Sequence, residues 1–97
     1  MRIRMIEFVQ TTPPFRRNLK RLARKHYPVK RVSQVVDLIV ADDIETLKRQ
    51  YLYHTLRGDL AGVFDVHLSQ NWLLLFTISE DGKTLFLINT GDHSINW

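Results

Sequence analysis

The stretch VFDVHLSQNWLLLFTISEDGKTLFLINT, Val63–Thr90, decides the fold. In its first part Phe64, Val66 and Leu68 alternate with Val63, Asp65 and His67, a period of two that an extended strand turns into one buried and one more polar face. Asp65 and His67 therefore share the polar face. Trp72 to Ile78 is apolar on both faces, as in a central strand. Ser79-Glu80-Asp81-Gly82-Lys83 is hairpin-turn chemistry, and it leads into a third strand from Thr84 to Thr90. Three strands joined in this way make a meander.

Working outward, the period upstream is helical. Val32, Val35, Val36, Ile39 and Val40 fit the i, i+3, i+4, i+7, i+8 template of one helix. Before it, Phe15, Leu19 and Leu22 recur at helical spacing, while Arg16, Arg17, Lys20, Arg21, Arg24 and Lys25 occupy the other faces of a strongly basic helix ending near Tyr27-Pro28. Ile3 to Val9 reads as a short strand stopped by Thr11-Thr12-Pro13-Pro14. Between Asp42 and Tyr53 two readings stay open: a short helix capped by Asp42 with Glu45, or an ordered loop. The order β-α-α-β-β-β predicts one α+β domain over residues 1–97, an antiparallel sheet of about four strands with two helices packed on one face.

Composition fits such a domain. The chain has 97 residues, 44% apolar and 25% charged, which is too apolar for a disordered chain and too short for a second core. The absence of cysteine excludes a disulfide framework, a thiolate metal site and a cysteine nucleophile. Met1 to Phe8 lacks the continuous apolar core of a signal peptide, and no apolar run approaches the roughly 18 residues of a membrane helix. The expected setting is the cytoplasm, away from membranes. Charge is unevenly placed: residues 1–31 hold ten of the fourteen Lys and Arg against the single acid Glu7, whereas residues 32–97 carry a balance of −5. Either a solvated helix face or a surface for a polyanion or acidic protein accounts for this.

Three histidines lie in the C-terminal half: His54 before the Val63 strand, His67 on it, and His93 beyond the last strand. With an unperturbed pKa of about 6.5, paired imidazoles can supply a base and an acid near neutral pH. Metal-free phosphodiester cleavage in RNA needs that pairing, one group taking the 2′-hydroxyl proton and the other protonating the leaving 5′-oxygen. Spacing alone is equally satisfied by ordinary hydrogen-bonded histidines. A three-histidine zinc site is the other chemical reading, and no His-x-His or HExxH spacing supports it. Arg57, next to His54, is the best placed cation for phosphorane charge, with Lys48, Arg49 and Lys83 as weaker candidates. Each can equally be a surface residue.

The run His54-Thr55-Leu56-Arg57-Gly58-Asp59-Leu60-Ala61-Gly62, then Asp65-Val66-His67, Asn71-Trp72-Leu73-Leu74 and Thr90-Gly91-Asp92-His93-Ser94 resembles the RelE/ParE toxin superfamily, and within it the YafQ-like messenger-RNA interferases of type II toxin–antitoxin systems. The resemblance covers nearly the whole chain. It implies a RelE-like fold, no cofactor and no metal. By position it implies that His54, His67 and His93 belong to the catalytic set, and that Trp97 replaces the terminal aromatic, usually Phe, that contacts a substrate base. Asn71 departs from the pattern, standing where YafQ-like enzymes carry a catalytic Asp; an amide cannot accept a proton as a carboxylate does. Asp65 and Asp92 are nearby candidates for that charge.

The implied function is a toxin that cleaves messenger RNA on the ribosome. Its implied partners are a cognate antitoxin, mRNA and ribosomal RNA, with the toxin alone a monomer and a hetero-oligomer with antitoxin. The competing readings are a ParE-like toxin acting by protein binding, which the histidine set disfavours, and a member weakened by Asn71.

Overall fold

The computed structural model describes residues 5–55 and 62–92, with the backbone alone at His54 and Thr55. The order is β1 (Phe8–Thr11), α1 (Pro13–Arg24), α2 (Lys30–Val40), α3 (Ile44–Tyr51), β2 (His54–Thr55), β3 (Phe64–Ser69), β4 (Trp72–Ile78) and β5 (Thr84–Gly91). The strands form one sheet in the order β1-β5-β4-β3-β2. The α+β class and the β3-β4-β5 meander stand as the sequence predicts; both helices form, but they are not a packed pair, since α1 packs on β5 and α2 packs on α3.

Three further details differ. β1 runs parallel to β5, with Phe8 opposite Thr84 and Thr11 opposite Leu87, so the sheet is mixed rather than wholly antiparallel. Parallel neighbours require a crossover, and here most of the chain lies between them; periodicity within β1 carries no record of that distant partner. The open stretch resolves as α3, capped by Asp43, whose carboxylate accepts from the Thr46 N–H at 3.2 Å and hydroxyl at 2.8 Å. The two-residue β2 adds a fifth strand. Of the strand expected over Ile3–Val9, Phe8 and Val9 lie in β1, residues 5–7 do not, and Ile3 lies outside the described residues.

The Thr-Pro-Pro signal both ends β1 and starts α1. Thr12 Oγ1 accepts from the Phe15 N–H at 3.1 Å, and the prolines fill positions where no helical N–H partner exists. Phe15, Asn18, Leu19 and Leu22 form the inward stripe of α1; Phe15 and Leu22 are buried and Leu19 packs against the same core. That core takes Val32, Val35 and Ile39 from α2, Leu47 from α3, and Val66, Leu68, Trp72, Leu74, Phe76, Leu85 and Leu87 from the sheet. All helices therefore lie on the side of Val66 and Leu68. Asp65 and His67, which alternate with them, project from the opposite face.

The β4–β5 turn is held by Asp81, whose Oδ1 accepts from the Ser79 hydroxyl at 2.6 Å and the Lys83 N–H at 3.0 Å, with Gly82 at φ 78°. These bonds, the Ser79 hydroxyl first, hold the Asp81 carboxyl below its ordinary range. Among the described residues no helix is long and apolar enough to cross a membrane.

Candidate active site

β4 is flanked on both sides by a bulged strand. On β3, His67 pairs with Leu73 and Ser69 with Trp72, so Leu68 is an extra residue. On β5, Asn89 pairs with Leu75 and Leu87 with Phe76, so Ile88 is an extra residue. A bulge leaves its carbonyl outside the ladder and re-aims the side chains around it. Both carbonyls are met from the helical layer: Arg31 Nη1 donates to Leu68 O at 2.9 Å, and Thr12 Oγ1 donates to Ile88 O at 2.6 Å. The helices thus lock the strand ends that carry the candidate residues.

On the face away from the helices, His67 Nε2 lies 3.9 Å from Asp65 Oδ2. The imidazole keeps 19% of its surface exposed, so solvent and substrate can reach it, while Asp65 is nearly enclosed at 9%. Asp65 is the register partner of His54 on β2. Tyr53, one residue earlier, stacks on Phe64 at 5.6 Å between centroids, and Phe64 stacks on Phe76 at 5.3 Å, which anchors the entry to β2 in the core. In the neighbouring row, His67 pairs with Leu73 and Leu73 with Gly91, two residues before His93. The structure thus brings Asp65 and His67 together and places the His54 backbone across from that pair.

The end of β5 is fixed by a buried polar chain. Trp72 Nε1 donates to Thr90 Oγ1 at 2.9 Å, and Thr90 Oγ1 donates to Leu73 O at 2.7 Å. Asn89 Oδ1 accepts from Asn18 Nδ2 at 2.7 Å and from the Thr90 N–H at 2.9 Å. Trp72 packs edge-on against Tyr27 at 5.2 Å. Trp72 is therefore core, as its neighbours imply, but it also ties β4 to the strand that leads toward His93.

The remaining sequence candidates divide by position. Asn71 is exposed in the turn between β3 and β4, and Asp92 is exposed just past β5. Lys48 and Arg49 are exposed on α3, which packs on the helix side of β3, opposite the Asp65–His67 face. Lys83 precedes β5, eight residues from Gly91 and so about 25 Å from the His67 row; it is not a site residue. His93, Trp97 and Arg57 lie outside the described residues, as does the side chain of His54. Among the described residues no group of three His, Asp or Glu side chains converges as a metal site would require.

Reading the sequence alone passed over Arg31, Asn18 and Asn89, and took Thr12 and Thr90 only as members of motifs, not as hydrogen-bonding supports. Asn18 carries a signal in retrospect, because it falls on the inward stripe of α1; Asn89 is likewise an amide in an apolar strand. The bulges have none, since one inserted residue leaves local composition unchanged.

Against solved structures, the chain is similar to a metal-bound toxin from Helicobacter pylori, with 30% identity, 93% of this chain and 97% of that chain covered, and a TM-score of 0.80. It shares its fold with YafQ from E. coli strain BL21(DE3), at 19% identity over 91% and 94% of the two chains and a TM-score of 0.78. The E. coli DinJ–YafQ toxin–antitoxin complex gives 21% identity over 95% and 96%, again with a TM-score of 0.78. A search of curated protein sequences found no significant match. A model of the YafQ family, described as the bacterial toxin of a type II toxin–antitoxin system, matches residues 7–95. A match over nearly the whole chain, on a fold shared with YafQ itself, makes this protein a member of the YafQ family of type II toxin–antitoxin toxins.

Proposed function

We propose that this toxin is a ribosome-dependent endoribonuclease that cleaves messenger RNA with its own side chains and no metal ion. The observation that carries the reading is the Asp65–His67 pair, 3.9 Å apart and reachable from solvent, with His54 across the ladder and His93 two residues past the same row. In this mechanism His67, helped by His54, takes the proton of a ribose 2′-hydroxyl. The 2′-oxygen attacks the adjacent phosphorus, and His93 protonates the departing 5′-oxygen. The products are a 2′,3′-cyclic phosphate and a 5′-hydroxyl. Asp65 orients the His67 ring and stabilises the charge it gains on proton uptake. Arg57 offers charge to the phosphorane and Trp97 a stacking surface for a base.

Asn71 is the weak point of this set. Its place in an exposed turn beside the β3 bulge suits a residue that orients substrate by hydrogen bonds, a task an amide performs without a charge. The partner is an antitoxin that covers the basic and histidine-bearing surfaces, as the DinJ–YafQ complex shows a YafQ toxin joined to its antitoxin. Action on ribosomes places the protein in the cytoplasm.

The test is cleavage of mRNA in a programmed ribosome by wild type and by His54→Ala, His67→Ala, His93→Ala and Asn71→Asp. A general acid or base contributes at least about a hundredfold, so each alanine variant should fall by that much. Losses below about tenfold in all three would refute the mechanism. An inactive wild type revived by Asn71→Asp would show a disarmed toxin on the same scaffold.

A further inference from the structure

A cleft of about 440 Å³ lies between α1 and the end of β5. Arg17, Arg21 and Lys25 line it along α1 and its C-cap, Asn89 and Thr90 line it from β5, and the Asn18–Asn89 hydrogen bond joins the two. The three cations are spaced four residues apart, about 6 Å per step along the helix axis. All three are exposed, and none forms an ion pair with a described residue. Tyr27, half-buried and braced edge-on by Trp72, also lines the cleft, and Asp92 contributes the one carboxylate among the described lining residues.

We propose that this cleft binds single-stranded RNA, with Arg17, Arg21 and Lys25 taking successive phosphates and Tyr27 offering a face for a base. A row of cations joined to an aromatic platform is the arrangement that holds single strands without regard to sequence. An acidic peptide would use the cations and leave the aromatic wall without a purpose. Asp92 repels a phosphate but accepts from a ribose 2′-hydroxyl, a group that only RNA carries. The cleft lies at the end of β5 that leads in sequence to His93, and any link between its occupant and cleavage rests on the ribonuclease reading; the binding does not.

The experiment measures binding of a labelled short oligoribonucleotide to full-length His67→Ala protein, by anisotropy across a salt series. Each phosphate contact on a single strand contributes about 0.7 to the slope of log K against log salt. Adding Arg17→Gln and Arg21→Gln should reduce the slope by about 1.4 and weaken binding about tenfold or more. Lys20→Gln with Arg24→Gln removes the same charge from the same helix outside the cleft lining, and should change the slope by less than about 0.5. Melting curves confirm that both pairs fold. Equal losses from the two pairs, or no loss from either, would overturn the proposal. So would loss of poly-glutamate binding with RNA binding intact, which would make the occupant an acidic peptide. If cleavage assays fail while the slope difference holds, the cleft stands and only the ribonuclease reading falls.

Discussion

Arg31→Met removes the side chain that meets the bulged carbonyl beside His67 while keeping an apolar stem of similar length. The bond runs from a charged donor to Leu68 O at 2.9 Å, and such bonds contribute about 1.5–3 kcal/mol. Arg31 is only half-buried, so the lower figure, about 1.5 kcal/mol, is the appropriate one. In a domain of this size each kcal/mol moves the melting temperature by about 4–8 °C, so Tm should fall by about 6–12 °C. The same change frees the β3 bulge, and the His67 ring resonances should shift and broaden in NMR spectra. In turnover, kcat should fall with KM little changed, the mark of a residue that positions His67 rather than binding substrate. Arg31→Lys should recover part of the stability, because an ammonium can donate once but lacks the planar fork. A Tm within about 2 °C of wild type, with His67 unperturbed, would refute the idea that the helical layer locks this bulge.

Thr90→Val is nearly isosteric but orphans the buried Trp72 N–H and the Leu73 carbonyl, and should cost about 2–4 kcal/mol in urea unfolding. His26 sits at φ 67° just past the end of α1, a conformation that suits glycine, so His26→Gly should stabilise by about 0.5–1 kcal/mol despite the added chain entropy. Asp81, whose folded-state pKa lies below its ordinary value, stabilises the β4–β5 turn above the unfolded pKa of about 3.9, and that contribution is lost as pH falls through the folded value. Protection of the Lys83 and Thr84 amides, taken relative to the intrinsic exchange rate at each pH, should therefore fall at the acid end in wild type and show no such fall in Asp81→Asn.

Much of this architecture was legible because local period and global burial agree. The alternation of Phe64, Val66 and Leu68 with Asp65 and His67 put the two polar residues on one face, and they stand 3.9 Å apart there. The stripe of Phe15, Leu19 and Leu22 fixed the inward side of α1 and, by exclusion, its basic side. What stayed hidden is non-local. The parallel pairing of β1 with β5 is set by the crossover rather than by any residue of β1. The bulges at Leu68 and Ile88 each depend on a donor from a distant element, Arg31 and Thr12 respectively. The helix reading of the stretch after Asp42 took Asp42 as its cap; the structure caps α3 with Asp43 and places Asp42 at φ 58°. The grouping of the three histidines as one site came only from family resemblance, since no spacing rule joins residues 54, 67 and 93, and it stands as a proposal.

The central claim is that the toxin cuts RNA by 2′-hydroxyl attack assisted by His67. It is tested most directly by presenting a programmed ribosome with an mRNA whose nucleotide 5′ to the cleavage point lacks its 2′-hydroxyl. The account predicts that wild-type protein cleaves the all-ribose message to a 2′,3′-cyclic phosphate end, leaves the 2′-deoxy message intact, and loses at least about a hundredfold in rate as His67→Ala. Cleavage of the 2′-deoxy message at the same position, or a product end other than the 2′,3′-cyclic phosphate, would contradict it.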